Sequence, residues 1–301
     1  MWKKSPLNWV GCKTKTMAHI IEMMPEGNRL IEPFVGSGTV FLNTEFHNYI
    51  LCDANKDLVN FFNTVKFHHQ RLIVLAKHLF DEFCSEKGYY EVRDWFNCEI
   101  KPKNIFRDNA ESGVEMAAAF LYMNRHGFHG LCRYNKKGQF NVPYGHHKKS
   151  MICFPEQEII AFSEKARKCN TIFLCQDYSD TLQMTTKKGD IFYCDPPYFP
   201  TSKTASFTEY SGKAFTNKDQ KCMFDLAKKK SEERIPVLIS NSDTENTRKL
   251  YRKDKMPYEN WKTVRLNCNV GNSNNINRSE VLVLLGDANA SKSPHLSLVW
   301  R

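Results

Sequence analysis

Apolar residues fall in short runs bounded by turn residues near both ends of this 301-residue chain, and in a charged, helix-like pattern between them. Residues 13–24 read as a helix, and 29–38 as a strand followed by a glycine turn. A helix then runs into the mid-forties, and the apolar run Tyr49-Ile50-Leu51-Cys52 reads as a strand ending at Asp53. From 55 to 150 the pattern turns helical and charged. Lys87-Gly88-Tyr89-Tyr90 and Lys101-Pro102-Lys103 mark loops, and Gly138-Gln139-Phe140-Asn141-Val142-Pro143-Tyr144-Gly145 closes the stretch. Alternation of strand and helix then returns, with a helix at 156–168, strands at 171–175 and 190–194, a helix at 217–232 and a strand at 235–240. Two last apolar runs, 261–268 and 280–286, flank Asn269-Val270-Gly271-Asn272-Ser273-Asn274-Asn275 and read as a hairpin. The pattern predicts an α/β fold with a first catalytic part over 1–54, an insertion over 55–150, a second catalytic part over 151–286, and a tail of unassigned role over 287–301.

Chemistry enters at Asp195-Pro196-Pro197-Tyr198. The preceding Asp190-Ile191-Phe192-Tyr193-Cys194 reads as a buried strand, so the acid emerges at a strand's carboxyl end, where open α/β sheets build their sites. A carboxylate beside a proline-fixed backbone carbonyl makes a pair of acceptors, and an exocyclic amine has two N–H donors to give them. Tyr198 adds a flat face for the ring that carries such an amine. A plain Pro-Pro turn after a core strand explains the same residues, so context decides.

That context lies near the start of the chain. Ile31-Glu32-Pro33-Phe34-Val35-Gly36-Ser37-Gly38-Thr39 reads as a strand, a glycine turn that lets a ligand approach the backbone, and a helix start. The third glycine of the dinucleotide fingerprint is missing, which argues against NAD or FAD. Asp53, at the tip of the second strand, is placed to bind the ribose of an adenosine-containing cofactor, or to cap the next helix.

Composition narrows the picture. A net charge of +10 and a pI near 9.0 suit a polyanionic partner. Eleven cysteines, an odd number, with no signal-peptide pattern at Met1-Trp2-Lys3-Lys4, suit a reducing compartment, and a cytoplasmic location is expected. Cys12, Cys52, Cys132, Cys175 and Cys194 sit in apolar contexts with no Cys-x-x-Cys pair, and His68-His69 and His146-His147 lack ligand spacing, so no metal site is read. No apolar stretch approaches the length of a membrane span.

In their order along the chain, these motifs resemble the DNA adenine-N6 methyltransferase (Dam) family, D12 class: cofactor loop first, recognition region in the middle, Asp-Pro-Pro-Tyr late. The likeness also covers Asn8-Trp9-Val10-Gly11-Cys12-Lys13, Leu121-Tyr122-Met123-Asn124-Arg125-His126-Gly127-Phe128-His129-Gly130-Leu131-Cys132-Arg133-Tyr134-Asn135 and Pro236-Val237-Leu238-Ile239-Ser240-Asn241-Ser242-Asp243, and spans most of residues 5–286. It implies a seven-stranded, Rossmann-like class I methyltransferase sheet, mostly parallel with an antiparallel final hairpin strand. It also implies S-adenosylmethionine as methyl donor and an adenine flipped out of double-stranded DNA as acceptor.

Carried over residue by residue, the resemblance places Trp9 and Lys13 at the cofactor and Phe34, Gly36 and Gly38 beside its methionine part. Asp53 falls at its ribose, and Asp177 and Tyr178 at its adenine. Asp195, which also borders the cofactor, and the Pro196 carbonyl would accept from the target amine, with Tyr198 stacked on the base. In the insertion, Arg133 and Leu131 would meet target bases, Phe128 and His129 would wedge into the duplex, and Asn8, Asn135 and Pro143 would join the DNA contact. Members that read GATC often carry lysine where Asn8 stands; His129 replaces a frequent asparagine, and Cys12 a glycine. Arg133, Leu131 and Pro143 fit GATC, while Asn8 departs from it. A cytosine-N4 methyltransferase would more commonly show Ser-Pro-Pro, and a protein glutamine-N5 methyltransferase Asn-Pro-Pro-Tyr. A DNA-binding module without catalysis would leave both motifs unexplained.

Overall fold

In a computed structural model, residues 2–100, 110–146, 152–198, 215–252, 260–268 and 276–286 are described. Seven strands form one sheet: β1 (Arg29–Glu32), β2 (Asn48–Asp53), β3 (Thr171–Cys175), β4 (Asp190–Cys194), β5 (Val237–Ser242), β6 (Trp261–Cys268) and β7 (Ile276–Leu285), in the order β3-β2-β1-β4-β5-β7-β6. Only β7 runs antiparallel to its neighbours, β5 and β6. The sheet is the one expected of a class I methyltransferase. Leu30, Ile31, Leu51, Ile191, Phe192, Val237 and Leu238 are all buried, as parallel strands covered on both faces must be.

The strand order reverses between β1 and β4. The chain moves outward through β2 and β3 on one side and through β5 on the other, so the carboxyl ends of β1 and β4 open onto the same crevice. Their register pairs Ile31 with Phe192. This brings the glycine turn after β1 beside Asp195 after β4, although about 160 residues separate them. At the other end of the same two strands, Arg29 donates from Nε and Nη2 to the two oxygens of the fully buried Asp190 (2.9 and 2.5 Å).

The helices are α1 (Met17–Met23), α2 (Thr39–Asn43), α3 (Lys56–Glu82), α4 (Glu86–Trp95), α5 (Ala110–His126), α6 (Glu156–Lys168), α7 (Tyr178–Leu182), α8 (Asn217–Glu232) and α9 (Glu245–Tyr251); α5 packs on α3, and α4 on α5, rather than on the sheet. The long α3 joins the sheet to the insertion. Phe62 on its first turns stacks on Phe162 of α6 (4.8 Å between centroids) and Phe173 of β3 (5.3 Å). Farther along, its partners are in the insertion, where Tyr89, Tyr122 and Phe140 extend the same buried cluster. The insertion therefore shares a hydrophobic core with the sheet.

Several predicted bounds shift. The helix expected over 13–24 divides into a 3-10 turn, Lys13–Lys15, and α1. The division turns Lys13 inward. The strand expected at 235–240 lies at Val237–Ser242, and the last strand begins earlier, at Ile276. Cys52, Cys132 and Cys194 are buried as their apolar neighbours suggest, but Cys12 and Cys175 are exposed. Cys12 belongs to a turn, and Cys175 to the end of an edge strand with one face open. The loop signals at 101–103 and 269–275, His147 and the tail over 287–301 lie outside the described residues.

Candidate functional site

Asp195 follows the last residue of β4 and is held on both oxygens. Ser240 of β5 donates from Oγ to Oδ1 (2.8 Å), and the Tyr193 hydroxyl stands 3.0 Å from the same Ser240 oxygen. Lys13 Nζ meets Oδ2 at 2.8 Å, donates to the Gly11 carbonyl (3.0 Å), and lies 4.7 Å from the centre of the Tyr198 ring. Lys13 is 5% exposed. Burial opposes its charge, but Asp195, helped by Glu280 of β7, outweighs burial and holds the ammonium above the ordinary lysine range. Two engaged oxygens still leave the carboxylate spare lone pairs for an incoming donor.

The rest of Asp195-Pro196-Pro197-Tyr198 is pinned from below. The Pro197 carbonyl accepts from Gln220 Nε2 of α8 (2.6 Å), and Asn241 Nδ2 supports Gln220 Oε1 (3.1 Å). The Tyr198 hydroxyl has no hydrogen-bond partner among the described residues. The Asp195 carboxylate and the Tyr198 ring thus meet about Lys13 at the end of β4.

Across the crevice, the turn after β1 requires glycine twice. Gly36 (φ +49°) and Gly38 (φ +71°) are left-handed, and a Cβ on Gly36 would lie 3.1 Å from Trp9 Nε1. On Gly38 it would come within 2.9 Å of Phe162. The Gly36 N–H donates to Asp53 Oδ2 (3.2 Å), and the Asn55 N–H to Asp53 Oδ1 (3.0 Å). Asp53 is not the cap of α3: Asn55 is, accepting from Asp57 N and Leu58 N. Burial pushes the Asp53 carboxyl up to about 6, against these backbone donors. Glu32, at the end of β1, is buried, its carboxyl driven well above the usual range by burial and then by Asp195, and its Oε1 has no partner among the described residues.

Phe34 stacks on the buried Tyr178 (5.5 Å, 20° between planes), and Phe215 meets both edge-on. Asp177 is exposed and caps α7, its Oδ1 accepting from Ser179 N and Oγ. The structure thus gathers Trp9, Phe34, Gly36, Gly38, Asp53 and Tyr178 about the ends of β1 and β2, and Lys13 with Asp195 and Tyr198 at the end of β4.

The predicted recognition residues occupy a second surface. From Leu131 to Tyr144 the chain doubles back on itself through a turn at Asn135 to Gln139, with the Asn141 N–H donating to the Arg133 carbonyl (3.0 Å). Cys132, Tyr134, Phe140, Val142 and Tyr144 are buried; Leu131, Arg133, Asn135, Asn141 and Pro143 are not. Side chains of an extended segment alternate between faces, so these odd-numbered residues share the outward one. Arg133 donates from Nε to Asn141 Oδ1 (2.8 Å) and from Nη2 to the Asn141 carbonyl (3.0 Å). The clamp leaves Nη1 and the far hydrogen of Nη2 as a fork pointing off the hairpin. The Asn135 side chain is spent inside its turn, on Lys137 N, Gln139 N and Gln139 Oε1. Beside Leu131, Phe128 is 42% exposed, and His129 (φ +53°) is held in a left-handed conformation that favours asparagine or glycine. The Phe128 N–H donates to the Pro143 carbonyl (2.9 Å), tying this loop to the hairpin.

Sequence reasoning missed Ser240, Gln220, Glu280, Arg125 and Asn141 as members of these sites. Asn141 alone had a local signal, since the apolar alternation over 139–144 places it on the face of Arg133. The others are joined to their partners only by the fold.

A family model of the D12 class N6 adenine-specific DNA methyltransferases matches residues 9–265. The chain is 43% identical over 293 residues to a DNA adenine methylase of Vibrio cholerae serotype O1, covering 97% of this chain and 96% of that protein. It is 45% identical over 248 residues to a DNA adenine methylase of Serratia marcescens (82% and 86%), and 43% identical over 252 residues to that of Escherichia coli K12 (83% and 84%). The chain belongs to the D12 class N6 adenine-specific DNA methyltransferase family. It is an adenine-specific DNA methyltransferase, and its family implies S-adenosylmethionine as methyl donor. The cytosine-N4, glutamine-N5 and non-catalytic readings give way to this one.

Proposed function

We propose that this enzyme methylates an adenine swung out of double-stranded DNA, within GATC or a close relative of it, and that the two surfaces described above divide the work. The observation that carries the reading is the doubly held Asp195 carboxylate followed by Pro196, at the crevice where the glycine turn also ends. The Asp195 carboxylate and the Pro196 carbonyl match the two hydrogens of an adenine N6 amine, and accepting from them draws the nitrogen lone pair out of conjugation toward the methyl. Lys13 and Ser240 hold the Asp195 carboxylate in place as an acceptor. Tyr198 supplies the stacking face, and no covalent nucleophile is called for; Cys194 is buried inside β4.

The cofactor crevice fits S-adenosylmethionine on two grounds. Gly36 brings backbone close to a ligand under Trp9, and Asp53 offers a carboxylate for ribose hydroxyls. The cofactor's sulfonium supplies an already activated methyl, so the protein's task is alignment and exclusion of water. Tyr178 and Phe34 border the adenine and methionine ends respectively, with Asp177 available through Oδ2. On the second surface, Phe128 and His129 would enter the duplex, while the Arg133 fork pairs with a guanine edge and Leu131 and Pro143 meet apolar base edges. Asn135 acts through the turn that it holds. The basic net charge supports the phosphate contacts.

The test is transfer of labelled methyl to duplexes that contain GATC and to singly substituted sites, with base analysis of the product. N6-methyladenine restricted to GATC or to one near variant supports the proposal. Equal incorporation at all substituted sites refutes the sequence assignment.

A further inference from the structure

Asn8 belongs to the same outward surface, although it comes from the other end of the chain. Its N–H donates to Oδ1 of the buried Asn124 (2.8 Å), and Asn124 Nδ2 returns a bond to the Asn8 carbonyl (2.8 Å). Gly130 lies so close that a Cβ there would come within 2.4 Å of Asn8 Cβ, so Asn8 and the Phe128 loop form one continuous patch. Arg125, near the end of α5, holds the Asn8 side chain. It donates from Nη1 to Asn8 Oδ1 (3.2 Å) and to the Pro6 carbonyl (3.5 Å), and from Nη2 to the Cys153 carbonyl (2.9 Å).

A guanidinium has donors and no acceptor, so the end of the Asn8 amide that faces it must be the oxygen. The NH2 end is thereby turned away from Arg125. Asn8 is exposed, and its NH2 meets no acceptor among the described residues. An asparagine able to present either end to a base would read little. One whose oxygen is turned toward Arg125 presents its NH2 end outward.

We propose that Arg125 is a positioning residue for sequence reading, orienting Asn8 so that its NH2 end, a donor, meets one base of the target. The inference rests on the assignment of this face to DNA. In the major groove a donor is matched by guanine, with acceptors at both N7 and O6, and mismatched by cytosine, which presents its N4 amine. Asn8 therefore excludes cytosine at its position. Loss of Arg125 lets the amide turn over and removes the exclusion.

The experiment uses the full chain and a duplex library randomised around one adenine, with N6-methyladenine mapped by sequencing to give a preference at each position. The parent is expected to disfavour cytosine at one position by about three- to tenfold, the range of a single neutral hydrogen bond. Asn8→Asp keeps an acceptor for Arg125 but has no donor, and should abolish or reverse that preference while leaving other positions unchanged. Arg125→Gln, which can both donate and accept, should relax the same position without reversing it. Calorimetric S-adenosylmethionine binding equal to the parent's confirms that each variant is folded, and Asn8→Asp alone decides if Arg125→Gln is not. An unchanged preference profile in Asn8→Asp, a loss spread evenly over all sequences, or no cytosine exclusion in the parent overturns the inference. A parent that methylates no adenine in the library overturns the proposed function instead.

Discussion

Asp53 carries a prediction whose sign and size both follow from its surroundings. Its carboxyl sits at the end of β2 with one N–H donor on each oxygen, yet burial raises it from 3.8 to about 6. Ribose hydroxyls donating to this group would favour the ionised form, so cofactor binding should lower its pKa and release a proton. Starting from about 6, the group is about nine-tenths ionised at pH 7 and about one-tenth at pH 5. Affinity for S-adenosylmethionine should therefore fall about tenfold between pH 7 and pH 5, or about 1.4 kcal/mol. Folding stability runs the other way. Because the folded value lies above the unfolded one, the contribution of Asp53 is present in full below 3.8 and is lost as pH rises through about 6.

Calorimetry in two buffers of different ionisation enthalpy measures both the affinity and the proton count. Close to one proton should be released at pH 5 and almost none above pH 7. Asp53→Asn should bind about 1.5–3 kcal/mol more weakly at pH 7, the range for hydrogen bonds to a charged group, and show no slope between pH 5 and pH 7. An affinity in the parent that is independent of pH over this window, or the same slope in Asp53→Asn, would show that Asp53 does not meet the cofactor.

Asp195→Ala should abolish turnover while leaving DNA binding intact, because the acceptor is lost and the recognition hairpin is untouched; a gel-shift assay beside a methyl-transfer assay checks both halves. Arg133→Ala should cost about 1–3 kcal/mol on the preferred site and little on sites already substituted at its base pair, whereas an equal loss on every sequence at fixed salt would assign Arg133 to phosphate. Asn141→Ala, which removes one support of the Arg133 fork, should cost about 1 kcal/mol with the same dependence on sequence. Arg29→Ala should destabilise the fold by about 3–5 kcal/mol in denaturant titrations, since the fully buried Asp190, among the described residues, loses its only cation and keeps just the Lys187 N–H as a donor.

Much of this was legible in the sequence because the informative segments are local. The apolar runs at 48–53, 171–175 and 190–194 had to be strands, and a two-glycine turn or an acid at the end of such a strand is visible without the fold. The hairpin over 131–144 was harder. A stretch dominated by helical, charged residues hid the alternation of Cys132, Tyr134, Phe140, Val142 and Tyr144, which fixes the outward face. Helix α3 also blurred the boundary near residue 55, because its first turns pack on the sheet and its later turns on the insertion. No local pattern could say that Ser240, Glu280 and Lys13 meet around Asp195, since their proximity depends on β4 and β5 being neighbours and on β7 returning antiparallel to β5.

Lys13 shows what the fold adds to a residue already singled out. The resemblance alone assigns it to the cofactor, but its ammonium binds Asp195 and covers one face of Tyr198, so it belongs first to the acceptor side of the crevice. It reaches that place because the 3-10 turn over Lys13–Lys15 interrupts the expected helix. Trp9, four residues earlier, closes over Gly36 on the donor side. One short segment therefore touches both halves of the reaction: Trp9 where the methyl donor would lie, Lys13 where the amine would be held. Asn8, next to Trp9, continues the same segment onto the recognition face through Asn124 and Gly130. On the function proposed above, a shift of this segment would move the donor pocket, the acceptor carboxylate and a base contact together. Binding of DNA and of cofactor should accordingly be linked through residues 8–13, without either ligand touching the other's principal site.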